Sequence, residues 1–135
     1  MSLGYCGYAD LQDADDTLVI YSYCCYNINI DGWERFKNAD DGELYIERDA
    51  FVEPEIHEKL KKTASGRKKL IVKRVKRDFP FHDFFETGKI KVKNASGTWD
   101  MNPSGIDRMA LHILLRMFDE YQEAGKLPEH IGLFY

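Results

Sequence analysis

No stretch of this sequence approaches the roughly 18–20 consecutive apolar residues needed to cross a bilayer as a helix, so a membrane partner is not expected. Met1-Ser2-Leu3-Gly4 lacks the basic and then apolar regions of a secretory signal; the expected location is cytoplasmic. Cysteine is scarce and odd in number, with only Cys6, Cys24 and Cys25. The last two are adjacent in a strand-like run, where neighbouring side chains point to opposite faces. No disulfide framework is indicated. No Cys-x-x-Cys occurs, and His57-Glu58-Lys59-Leu60-Lys61 lacks the second histidine that would set two imidazoles on one helix face. The acidic stretches Asp10–Asp16 and Asn38–Asp49 miss the glycine and glutamate positions of a calcium loop. No metal and no cofactor are expected.

Other absences narrow the chemistry. There is no Gly-x-Ser-x-Gly elbow and no glycine-rich phosphate loop, which leaves serine-nucleophile hydrolysis and nucleotide hydrolysis without support. Ser65-Gly66, Ser96-Gly97 and Ser104-Gly105 read as turn and cap chemistry, and Cys24 and Cys25 as mid-strand thiols that burial keeps inert. No repeat, low-complexity tract or Pro/Gly/Ser linker divides the chain. One domain over residues 1–135 is expected, with 1–16 as a poorly ordered or loosely packed lead-in.

What is present is an ordinary globular composition, 44% apolar and 31% charged, with 13% aromatic residues to fill a core. The net charge of −4 conceals segregation: residues 1–58 carry −11, residues 59–93 carry +10 and residues 94–135 carry −3. In a compact fold such blocks can neutralise each other or attract a partner of opposite charge.

Periodicity supplies the elements. Thr17–Ile30 is β-branched and aromatic and reads as a strand. Asp31-Gly32 suits a two-residue hairpin turn, with Trp33–Lys37 returning as a strand; the competing reading is a short helix with Asp31 as its N-cap. Glu43–Phe51 reads as a strand with Leu44 and Ile46 on one face, which completes a three-stranded meander. Pro54, with acids before and lysines after, predicts a helix over 54–63. Lys69–Val75 resumes a strand, Phe79–Phe85 gives a bend and one helical turn, and Lys89–Lys93 alternates as a strand. Ile106, Met109, Ala110, Ile113, Leu114, Met117, Phe118 and Tyr121 recur at helical spacing, predicting a helix over 103–124 that starts at Asn102-Pro103 or Ser104 and stops at Gly125. The tail from Ile131 to Tyr135 should dock. The fold class is α+β: a mixed or antiparallel four- to five-stranded sheet with a long C-terminal helix and a shorter helix packed mainly on one face.

Three functional readings follow. With no catalytic constellation, the first is a non-enzymatic interaction domain that recognises a protein partner through its acidic first half or exposed tyrosines. The alternative is nucleic-acid binding by the basic stretch 59–77, above all Arg67, Lys68, Lys69, Lys73, Arg74, Lys76 and Arg77, with Lys89, Lys91 and Lys93 extending the patch and Trp99 or Phe81 stacking on bases. The third is an enzyme site at His82, Asp83 and Glu86, since a histidine and a glutamate four apart share a helix face.

Overall fold

In a computed structural model that describes residues 2–135, a five-stranded antiparallel sheet carries the long helix on one face. Its strands are β1 (Tyr5–Ala14), β2 (Leu18–Asn27), β3 (Gly42–Glu47), β6 (Ile90–Lys93) and β7 (His130–Phe134), in the order β6-β3-β2-β1-β7. A separate two-stranded ribbon is made of β4 (Glu55–Lys62) and β5 (Lys68–Val75). The helices are α1 (Phe81–Glu86) and α2 (Arg108–Ala124). The α+β class read from the sequence is the one observed.

Alternation along the strands divides the sheet into two faces. Ala9, Val19, Tyr21, Tyr23, Cys25, Leu44, Ile46, Ile90 and Ile131 are buried with the apolar side of α2. At Gly7 the helix comes so close that an added Cβ would lie 2.9 Å from Met109 Cε. Phe118 is the hub of the aromatic cluster on the other flank of α2, with ring centroids of Phe51, Phe79 and Phe81 at 4.9, 4.8 and 5.4 Å. The opposite sheet face is partly covered by residues 28–41. There the Tyr8 hydroxyl donates to the Lys37 carbonyl (3.0 Å), the Cys24 thiol to the Phe36 carbonyl (3.0 Å), and Tyr26 stacks on Trp33.

Several local expectations are corrected. The loose lead-in expected over 1–16 is corrected at 5–14: Tyr5–Ala14 is β1, paired on both sides, with β2 and with β7; residue 1 lies outside the described residues. The meander therefore runs β1-β2-β3. Trp33–Phe36 is a short 3-10 helix rather than a return strand: Gly32 takes φ 79° but Asp31 takes no positive φ, so the two-residue hairpin turn does not form. The long helix starts at Arg108, with Asp107 as its N-cap; Asn102 instead caps a turn, accepting from the amides of Ser104 and Ile106. Gly125 ends it at φ 72°, as read.

The largest correction is at 54–63, which is strand β4 and not a helix. Ile56 and Leu60 are four apart, a spacing that suits one helix face and equally one strand face. The decision comes from the partner segment: β5 is rich in β-branched residues, and Gly66 at φ 81° closes the turn, with the Thr63 and Arg67 backbones joined at 2.7 Å.

Core and ribbon should respond differently to truncation. Phe118→Ala is expected to cost about 3–5 kcal/mol, whereas Leu60→Ala in the exposed ribbon should change stability by no more than about 0.5 kcal/mol. Urea unfolding of the two variants measures both.

Candidate functional site

The register of the ribbon sorts its side chains. Lys59 lies opposite Ile71, Lys61 opposite Lys69 and His57 opposite Lys73, while Ile56 lies opposite Arg74, Glu58 opposite Val72 and Leu60 opposite Leu70. Paired residues share a face. One face thus carries Lys59, Lys61, Lys69 and Lys73 with Ile71 among them, and the other the apolar Ile56, Leu60, Leu70 and Val72 together with Glu58, Lys62, Lys68 and Arg74. All of β4, and all of β5 except Val75, is exposed to solvent, so neither face is covered and the ribbon stands clear of the sheet. At 3.3 Å per residue its eight pairs reach about 26 Å.

Its root is fixed to α2. Lys76 Nζ lies 2.9 Å from Asp119 and 2.7 Å from Glu123, and both carboxylates hold its pKa above the ordinary lysine value. Arg74 donates to the Glu123 carbonyl (3.1 Å) and the Arg77 amide to Gln122 Oε1 (3.2 Å). Beyond the root the picture changes. Among the described residues, Lys59, Lys61, Lys62, Arg67, Lys68, Lys69 and Lys73 take part in no ion pair. Residues 55–77 hold ten basic and two acidic side chains, a net of +8, against −12 for the rest of the chain.

The structure thus divides the sequence-derived patch. Arg67, Lys68, Lys69 and Lys73 lie on the free ribbon, and Arg74, Lys76 and Arg77 at its anchored root. Lys89, Lys91 and Lys93 do not join them, because β6 pairs with β3: Lys93 is opposite Glu43, and Lys89 contacts Asp49 at 2.9 Å. Trp99 packs on Tyr5 and Phe81 on Phe118, which commits both rings to the core and its margin rather than to stacking. The acids of the first half are partly spent on structure. Asp15 accepts from the amides of Thr17 and Leu18 and Asp41 from that of Ser96; these donors hold both carboxyls below the ordinary aspartate value.

His82 and Glu86 do meet, Nε2 to Oε1 at 3.1 Å, but both are exposed. They sit on the rim of an open groove between α1, β6 and the 102–106 loop, lined otherwise by Phe81, Phe85, Val92 and Leu111. Asp83 does not line it; its carbonyl accepts from Thr87. Among the described residues no three His, Cys, Asp or Glu side chains cluster to hold a metal. A lone exposed pair lacks the third group that would orient it.

One polar constellation escaped the sequence reading. Asp107, 1% exposed, accepts at Oδ2 from the Tyr23 hydroxyl (2.9 Å) and the Cys25 thiol (3.0 Å), with Thr98 Oγ1 at 3.1 Å. Its Oδ1 takes the Met109 amide (3.0 Å). Burial first, and then the adjacent carboxylate, push both the Tyr23 hydroxyl and the Cys25 thiol well above their ordinary pKa values. These groups are locked as donors. No advance signal marked Asp107, which falls inside the helix read over 103–124.

No family model matches the chain, and neither a curated protein nor a solved structure matches it. No helix among the described residues is long and apolar enough to cross a membrane.

Two outcomes follow from the buried and capped groups. All three thiols are buried, and burial raises the Cys24 and Cys25 pKa, so a thiol-labelling reagent at neutral pH should leave the native protein unmodified and label three sites after denaturation. The depressed Asp15 and Asp41 pKa values contribute stability that is complete above the unfolded aspartate value of about 3.9 and fades as pH falls through the lower folded values. Acid titration followed by circular dichroism should show a shallower loss of stability in Asp15→Asn and Asp41→Asn.

Proposed function

We propose that this protein is a non-enzymatic binding domain that engages nucleic acid through the β4–β5 ribbon. The observation that supports the reading most is the unpaired basic face, Lys59, Lys61, Lys69 and Lys73, on an element exposed on both sides. An isolated two-stranded ribbon buries little and gains little stability from its own packing, so a sequence that keeps one fully exposed and strongly charged favours a use at its surface. Phosphates are the natural counterpart: lysine ammonium groups release condensed counterions when they neutralise a polyanion. A ribbon two strands wide also fits the major groove of a duplex, which is about 12 Å across.

Residues 55–75 contain no Asn or Gln, and Arg67 and Arg74 are the only arginines. Arg74 is occupied at the root. Few side chains of the kind that read base edges are thus available, and the reading implies contacts to phosphate with little sequence preference.

The apolar face favours a second reading, in which a protein partner covers the ribbon. Ile56, Leu60, Leu70 and Val72 are 57%, 63%, 53% and 54% exposed on one face, with Leu60 directly opposite Leu70. In that case Leu60→Ser with Leu70→Ser removes binding and Lys69→Glu with Lys73→Glu does not.

Fluorescence anisotropy with mixed-sequence single- and double-stranded oligonucleotides tests the first reading. Binding should weaken steeply with salt, at a slope of about 0.9 per phosphate neutralised on duplex DNA. Lys69→Glu with Lys73→Glu should weaken it by about tenfold or more, with an unchanged melting temperature because both residues are exposed and unpaired. Absence of binding at low salt would sink the proposal.

A further inference from the structure

β7 ends the sheet, and among the described residues no strand pairs with its outer edge. Tyr135 and Tyr5 exchange both backbone bonds, at 3.0 and 2.8 Å, which sets the alternation along the strand. Ile131 and Leu133 turn their N–H and C=O groups toward β1, so His130, Gly132 and Phe134 turn theirs outward. The other edge strand, β6, ends in Lys93 and carries Lys91 beside it, charges of the kind that discourage pairing with another chain. Between His130 and Tyr135 there is no lysine, acid or proline. Three apolar side chains lie exposed along this edge: Phe134 at 68%, Leu115 at 47% and Tyr135 at 40%.

We propose that β7 pairs antiparallel with β7 of a second copy of this chain, about a two-fold axis at Gly132, which joins two five-stranded sheets into one. The strand is its own complement. With the axis at Gly132, that residue faces its own counterpart and each Phe134 faces the His130 of the other copy, so every outward N–H and C=O of the three residues finds a partner. Glycine at the axis leaves space for the two phenyl rings, which lie diagonal to it. Each ring meets an imidazole already held in place, since His130 Nδ1 is 2.6 Å from Asp10 and its ring stacks on Tyr8. Leu115 and Tyr135 border one groove on the helix side of the same edge and enlarge the apolar area. A symmetric two-fold contact is also the commonest way for identical chains to associate.

The contact is small. Phe134, Tyr135, Leu115 and the edge backbone of both copies are its whole extent, which places it at or below the lower end of specific interfaces. Edge pairing of this kind is apolar and backbone-driven and persists at high salt. Self-association of the other kind, with the basic ribbon of one copy on the acidic surface of another, dissolves as salt screens the charges.

Sedimentation equilibrium of the full chain across a wide concentration range decides it. The expected result is a monomer–dimer equilibrium that survives high salt, is weakened at least about tenfold by Phe134→Lys through loss of an aromatic anchor, and is unaffected by Lys69→Glu with Lys73→Glu. Phe134 is exposed, so the melting temperature of Phe134→Lys should match the parent and separate loss of pairing from loss of fold. Gly132→Cys should form an intermolecular disulfide on mild oxidation, because the facing Cα atoms lie about 5.5 Å apart, while Ser104→Cys should not. A monomer at every concentration, or a dimer that ignores Phe134→Lys, or one that dissolves with salt, overturns the proposal. Nucleic-acid binding by the Phe134→Lys monomer separates this outcome from the fate of the ribbon reading.

Discussion

The buried carboxylate of Asp107 is the joint on which the sheet, the long helix and the loop before it all bear. A single side chain ends the 94–107 loop, caps α2 through the Met109 amide, and receives donors from two residues of β2. The same loop is tied at its other end, where the Ala95 amide donates to the Tyr23 hydroxyl (2.9 Å) and Asn94 accepts from the Asp107 amide (3.0 Å). A buried carboxylate is tolerated only when its oxygens are satisfied, and here the positive end of a helix adds to the neutral donors. The network therefore fixes the axial position of α2 over β2, and with it the depth at which Met109 and Ile113 meet Gly7 on β1. Non-directional apolar packing alone would leave that position far less defined.

Charge is distributed by the topology in a way that follows from this frame. α2 lies over β1, β2 and β7, and its outer side offers Asp119 and Glu123 as the anchor for Lys76. The chain enters and leaves the ribbon beside that anchor. Inside the sheet, β3 with its glutamates and β6 with its lysines are neighbours, and beside them Lys89 pairs with Asp49. The ribbon has no such neighbour, so its lysines remain solvated and uncompensated. Segregation along the sequence thus becomes segregation in space, with a basic arm on an acidic body, while the two edges of the main sheet differ in kind: one bordered by lysines, the other by Phe134 and Gly132.

Much of the architecture was legible. The 3.6-residue recurrence from Met109 to Tyr121, the glycine stop at 125, the alternation in Lys89–Lys93 and the docking tail all appear where the pattern placed them, because each is an amphipathic element whose period reports its buried face. The errors fall where that report fails. β1 is flanked on both sides by strands and includes Gly7, Ala9 and acidic residues, so it shows no strong period. Ile56 and Leu60 satisfy both periods at once. At the candidate site, the basic residues were identifiable as a run, but the run itself did not distinguish the anchored root from the free arm, and Asp107 fell inside the expected helix with nothing to set it apart.

Composition and local pattern by themselves determined the α+β class, the long helix and its stop, the mid-strand position of Cys24 and Cys25 and the existence of a concentrated positive charge, since these depend on residues near one another in the chain. Tertiary structure alone decided strand order, the ribbon in place of a helix at 55–62, the contact of Lys89 with Asp49, the placement of Lys93 opposite Glu43, and the burial of Asp107 among Tyr23, Cys25 and Thr98. The physical reason is that each of these rests on a contact between segments distant in sequence, where the choice depends on which partner is within reach and not on what either segment prefers alone.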